Sequence, residues 1–161
     1  MLYVIELING LQKYQSTIFT SLHSYLKSPS IPEVTPLDQK LAWVGDFPAE
    51  TLLSQLLDST KPLSIVIGIW DTGEIISGAE YGRQGSLRRT TIALNVWTAD
   101  PVLREQLSSE LYDFLTKNPH LIQGTQTPWQ VDMIQSNGYR AAPEGLYRRA
   151  FMVWLKEFHT F

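Results

Sequence analysis

A chain of 161 residues, 43% of them hydrophobic, is long enough to bury about two-thirds of its extended surface in one core, so a single domain over 1–161 is expected. It contains no cysteine, which excludes disulfides and thiolate metal sites, and no apolar run approaches the ~18 residues of a membrane span. A formal net charge of -3 has the wrong sign for a protein that grips nucleic acid by charge alone.

The charge is uneven along the chain. Residues 1–80 carry nine acids against four lysines, a balance of -5, whereas 81–161 carry nine bases against seven acids, a balance of +2. All seven arginines lie between Arg83 and Arg149. The opening Met1 to Ile8 has no basic stretch ahead of its apolar run and holds Glu6 within it, so it does not read as a signal peptide, and a soluble, cytoplasmically made protein is expected.

Taken in order, residues 2–27 predict one long helix, because Val4, Leu7, Ile8, Leu11, Tyr14, Ile18, Leu22, Tyr25 and Leu26 recur at intervals of three and four. It would be about 36 Å long at ~1.5 Å per residue, weakened at Gly10 by about 1 kcal/mol. Ile5 and Phe19 widen its apolar stripe, which leaves open whether it packs on its own sheet or on a neighbouring subunit. Residues 28–40 form a connector, extended where Pro29, Pro32 and Pro36 fall close together.

The remainder, 41–161, reads as an α+β core. Leu41–Val44 predicts a short strand and Pro48–Leu57 a short helix with Leu52, Leu53, Leu56 and Leu57 on one side. Leu63–Trp70 is a nearly unbroken apolar run, hence a strand covered on both faces or central in a sheet, followed by a turn at Asp71–Glu74. From Ile75 to Gly85 the pattern dissolves around Gly78, Gly82 and Gly85, which predicts a long exposed hairpin arm or loop. Leu87–Trp97 alternates as a half-buried strand, with Ile92, Leu94 and Val96 on one face.

Asp100-Pro101 is a helix start, a carboxylate cap before a proline at the first helical position. Leu103, Leu107, Leu111, Phe114 and Leu115 make its stripe, and Lys117-Asn118-Pro119 ends it. After a loop over His120–Pro128 come a strand at Trp129–Gln135, a long turn from Asn137 to Gly145, and a last strand at Leu146–Phe158. This order predicts an α+β fold, a mainly antiparallel sheet with helices packed on one side, a long N-terminal helix and an extended hairpin or loop arm.

No catalytic constellation emerges. Gly82-Arg-Gln-Gly-Ser86 is neither a phosphate-binding loop nor a nucleophile elbow, and its glycines read as turn residues. Asp71, Glu74, Glu80 and Asp132 could be drawn as metal carboxylates, but the first two sit in turn chemistry, and His23, His120 and His159 are scattered without ligand spacing. The paired arginines say more. Arg88-Arg89 and Arg148-Arg149 each open a strand, where successive side chains emerge on opposite faces. Planar guanidiniums there suit ion pairs with carboxylates of another subunit, or equally pairing within the chain to Glu105, Glu110 or Glu144.

In layout, the strand Arg89–Asp100 followed by the helix Arg104–Leu115 resembles the phage tail terminator (tail completion or neck) proteins: a strand with arginine and alternating apolar residues, an acid-capped helix, then two strands. The likeness runs from about Leu63 to Phe158, with the initial helix and the proline connector outside it. It implies a non-enzymatic structural protein of the virion, without catalytic residues, metal or cofactor, which forms a ring, typically a hexamer, on the last ring of the tail tube and joins tail to head. Its partners would be further copies of itself, the tail tube protein, the sheath where the tail contracts, and the head–tail connector protein, with no membrane and no sequence-specific nucleic acid. Assembly would take place in the host cytoplasm.

Such rings use heterologous contacts, compatible with an acidic first half and a basic second half. The natural arms are Ile75 to Arg88 and Asn137 to Gly145, so the interface candidates are Glu80, Tyr81, Arg83, Arg88 and Arg89 around the first and Arg140, Arg148 and Arg149 around the second. The alternatives are another tail or baseplate structural protein, or a small nucleic-acid-binding protein whose salt-steep DNA binding would weaken on Arg88→Ala and Arg148→Ala.

Overall fold

In a computed structural model the chain is described over residues 2–77, 85–118, 130–134 and 145–160. Strands β1 (Leu41–Val44), β2 (Ile65–Ser77), β3 (Gly85–Thr98), β4 (Gln130–Ile134) and β5 (Tyr147–Thr160) form one sheet in the order β1-β2-β3-β5-β4. β1 runs parallel to β2, while the β2–β3, β3–β5 and β5–β4 pairs are antiparallel.

The two middle strands explain the architecture. Ile65, Ile67 and Ile69 of β2 and Ile92, Leu94 and Val96 of β3 face one side, while Val66 and its cross-strand partner Trp97 face the other, and all are buried. β3 is therefore covered on both faces over its second half, where the sequence predicted one dry face only. Each such side chain stabilises the fold by about 1.5–3 kcal/mol relative to exposure, so neither face tolerates being left bare.

The first face is covered by α1 (Leu2–Lys13), α2 (Gln15–Ile18), α3 (Thr20–Ser24) and α6 (Pro101–Lys117). The second is covered by α5 (Glu50–Ser54) and the 3-10 turn Gln55–Leu57 that prolongs it, with Leu53 and Leu56 packed on Val66, Trp97 and Leu146. Helices thus lie on both sides of the sheet, contrary to the one-sided expectation. The cause is the parallel β1–β2 pair: its crossover must leave the sheet plane, and the second face is where bare apolar surface awaits it. Gly68 lets that crossover pass close. A Cβ there would stand 3.0 Å from the Asp46 carbonyl oxygen and from the rings of Trp70 and Trp97.

The single helix expected over 2–27 is broken. Tyr14 (φ -105°, ψ 12°) and Phe19 (φ -101°, ψ 61°) leave helical geometry, and Tyr25 is extended. Ser16-Thr-Ile-Phe-Thr-Ser21 is a run of β-branched, aromatic and hydroxyl residues with poor helix propensity, and the bend lets Ile18 and Phe19 both reach the core. Polar clamps then hold the five-residue α3 at each end. At its start the Glu110 carboxylate of α6 accepts from the Ser21 amide (3.3 Å) and from the hydroxyls of Thr20 and Ser21. At its end the Lys40 ammonium donates to the carbonyls of Leu22 and His23 (3.3 Å each) and Tyr25 (2.9 Å). An anion at the N-terminus and a cation at the C-terminus match the helix dipole. Lys40 is 1% exposed, and burial holds its ammonium pKa below the ordinary lysine value.

The connector is folded rather than extended. Pro29 at the second position of Ser28–Ile31 suits a β-turn, closed by Ile31 N–H to Ser28 O (3.0 Å), and a second turn over Pro32–Thr35 is closed by Thr35 N–H to Pro32 O (3.1 Å). A one-turn helix, α4 (Leu37–Lys40), leads into β1. α6 follows its prediction closely: Asp100 caps the amides of Val102 (2.9 Å) and Leu103 (3.3 Å), and Leu103, Leu107, Leu111 and Leu115 are buried.

The turn expected at Asp71–Glu74 is strand instead, and of the hairpin arm or loop expected from Ile75 to Gly85, Ile75–Ser77 and Gly85 are strand while 78–84 lie outside the described residues. β2 continues to Ser77 in ladder with Leu87–Thr91, with one irregularity between Asp71 and Gly73. Strands of 13, 14 and 14 residues (β2, β3, β5) exceed the usual length of about five or six. Beyond Thr90 the β2–β3–β5 ladder continues as a three-stranded ribbon to Leu87, and β3 and β5 pair on to Gly85, about 16 Å of strand in all.

Two stability changes follow. Lys40→Met leaves three carbonyls at the end of α3 without their donor and is expected to cost about 1–3 kcal/mol, read as a lower urea midpoint at unchanged slope. Gly68→Ala forces the crossover away from the sheet and is expected to cost about 1–3 kcal/mol in the same measurement.

Candidate subunit interface

At the start of β5 the structure gathers several charged and aromatic side chains. Arg149 lies on the α6 face of the strand, two residues before Phe151, and is 3% exposed. Its guanidinium pairs through Nη2 with Glu105 Oε1 on the first turns of α6. Arg104 donates to the same oxygen through Nε (3.1 Å) and Nη2 (2.8 Å), and its guanidinium lies 5.5 Å from the Tyr147 ring centre. Arg149 Nε is buried without a hydrogen-bond partner among the described residues, so Glu105 is its principal compensation.

One carboxylate therefore serves two arginines, both largely buried, while its own side chain is 54% exposed. Partial burial raises the Glu105 pKa, but hydrogen bonds from Arg104 and Arg149 and their charges outweigh it and leave the acid below the ordinary glutamate value. The arrangement is an ion-pair cluster at the sheet end, open to solvent on the Glu105 side.

The other arginine of that pair points the opposite way. Arg148 is half-buried and stands in register with Trp97 of β3, hence on the second face. Arg88 and Arg89 are in the ribbon beyond Thr90, Arg88 in register with Ile76 and Glu157 and Arg89 with Ile75 and Lys156. Glu80, Tyr81, Arg83 and Arg140 lie outside the described residues, as do the tip of the first arm and the turn from Asn137 to Glu144. The structure brings Arg148 and Arg149 to one end of the sheet and sets Arg88 and Arg89 about 23–30 Å away along the strands, at ~3.3 Å per residue of β3 between them. Of the intrachain partners considered from sequence, Glu105 takes Arg149, and Glu110 is occupied by α3.

Arg104 and Tyr147 were not among the predicted candidates. Their signal was in the helix period: Arg104, Ser108, Leu111 and Leu115 follow one another at three and four residues, which sets Arg104 on the inner face. Elsewhere, an open cleft of about 490 Å³ separates α2 and α3 from the connector, lined by Gln15, His23, Glu33 and Asp38. Among the described residues no three His, Asp or Glu side chains converge as a metal site, and no helix is long and apolar enough to cross a membrane.

No protein-family model matches the chain, and no curated protein matches it either.

The depressed Glu105 pKa has a pH consequence. Its stabilisation is fully present above the ordinary glutamate value and is lost as pH falls through the lower folded value. Glu105→Gln is expected to cost about 1 kcal/mol near neutrality, discounted for its exposure, and to flatten the fall in melting temperature below about pH 4.5.

Proposed function

We propose that this chain is a structural subunit that closes into a ring, in the manner of a phage tail terminator or neck protein, and that it is not an enzyme. The observation that carries this reading is the three-stranded ribbon. A paired stretch of about 16 Å beyond Thr90 is suited to reaching a neighbouring subunit or the tube on which the ring would sit. Arg88 and Arg89 fall within it, on a mainly antiparallel sheet whose opposite end carries Arg148 and Arg149. Virion location, a hexameric ring, and contact with tube, sheath and head–tail connector belong to the same proposal, which draws on the layout of the strand, the acid-capped helix and the last strands. Arg149 pairs inward with Glu105, which favours this reading over one in which the arginines bind nucleic acid.

Light scattering on the purified protein, alone and mixed with isolated tail tubes, tests the proposal. A single ring mass, with rings at tube ends in electron micrographs, is expected. A monomer at high concentration that stays monomeric with tubes overturns it.

A further inference from the structure

We infer that the outer margin of β2 is a docking site for an extended segment of another protein, one with apolar residues side by side and lysines or arginines around them. This site stands apart from the ring reading and does not rest on it. β1 pairs with β2 only as far as Gly68, and β2 runs on for nine residues to Ser77. Among the described strands none lies along that margin: β3 takes the other side, and β4 is at the opposite margin of the sheet with β3 and β5 between. The irregularity between Asp71 and Gly73 shifts the register of the margin without ending it. A strand added there gains a ladder of main-chain bonds, the general source of affinity in such contacts.

The end of β1 shapes the seat. After Val44 the chain turns onto the second face, where Phe47 rests on the rings of Trp70 (5.8 Å between centres) and Trp97 (5.4 Å) while staying 45% exposed. On the first face α1 runs opposite to β1, since Gln15, just after it, accepts from Trp43 Nε1 (2.9 Å), and Ile8, earlier in it, lies 3.6 Å from where a Cβ on Gly45 would stand. Ile5, about 4.5 Å further back along α1, therefore overlooks β2 beyond the end of β1, and it is 50% exposed. The notch so formed has an apolar wall on each face. Successive residues of a strand point to opposite faces, so two adjacent apolar residues fill it, one against Ile5 and the next against Phe47 and Trp70.

Charge selects the occupant. Residues 41–80 hold six acids, Asp46, Glu50, Asp58, Asp71, Glu74 and Glu80, against Lys61 alone. Asp46, at the notch itself, and Asp71, on β2, are exposed. Two such margins repel each other, which disfavours pairing between copies of this chain, and a cationic strand is drawn in.

A blocked synthetic peptide as long as the free stretch of β2, with three central valines and alternating threonine and lysine on either side, tests the site. By titration calorimetry it is expected to bind, and at about ten times its dissociation constant to slow amide exchange within residues 69–77 about tenfold. Methylating the peptide nitrogens along one edge, replacing its lysines by glutamates, or Ile5→Lys in the protein each weakens binding about tenfold or more, whereas Val34→Ser, at an exposed site on the connector, leaves it unchanged. Absence of binding, or binding indifferent to the methylated edge or to Ile5→Lys, overturns the site and leaves the ring proposal standing. A peptide that instead dissolves an assembly of the protein assigns the margin to a second copy and overturns the partner named here.

Discussion

Two central strands that are apolar on both faces set the terms for everything else in this molecule. Ile65, Ile67, Ile69, Ile92, Leu94 and Val96 require cover on one side, and Val66 with Trp97 require it on the other. The chain meets the first demand with the helices at its start and the helix after Asp100, and the second with the crossover between β1 and β2. The parallel strand, the close passage over Gly68 and the distribution of helices all follow from that need.

The helical layer on the first face is held by charge as well as by apolar contact. α3 is too short to be stable alone, and its position between the Glu110 carboxylate and the Lys40 ammonium ties three separated stretches of sequence together. Tyr25 adds a longer contact, 3.4 Å from its hydroxyl to Asp100, the residue that caps α6. Lys27 carries the same seam to the other side of the sheet, donating to Gln55 O (2.6 Å) and Leu63 O (3.1 Å). Burial lowers the Lys27 pKa, with Asp58 partly restoring it. Lys27 thereby ties the helical layer of the first face to the cover of the second.

What the sequence announced well was local. Asp100-Pro101 specified a helix start, the leucine stripe after it specified the buried face, and Leu63–Trp70 specified a strand dry on both sides. What it hid was decided by distant partners. Apolar spacing over 2–27 fits one helix, and only the competition between poor propensity at Ser16–Ser21 and the polar partners Glu110 and Lys40 breaks it. Asp71-Thr-Gly-Glu74 has turn composition, yet pairing with Thr90 and Thr91 keeps it in the ladder. The arginine pairs were visible as residues, whereas the sharing of Glu105 between Arg104 and Arg149 depends on a helix and a strand 44 residues apart.

The irregularity between Asp71 and Gly73 faces Thr91 and Ile92, at the root of the ribbon. One extra residue in a strand sharpens its coil and bends it locally, while the facing strands run on unbroken. The ribbon past that point is consequently a cantilever with a set angle. From Leu87 onward β3 is bonded along both margins, which stiffens the ribbon against splaying and holds the direction set at its root.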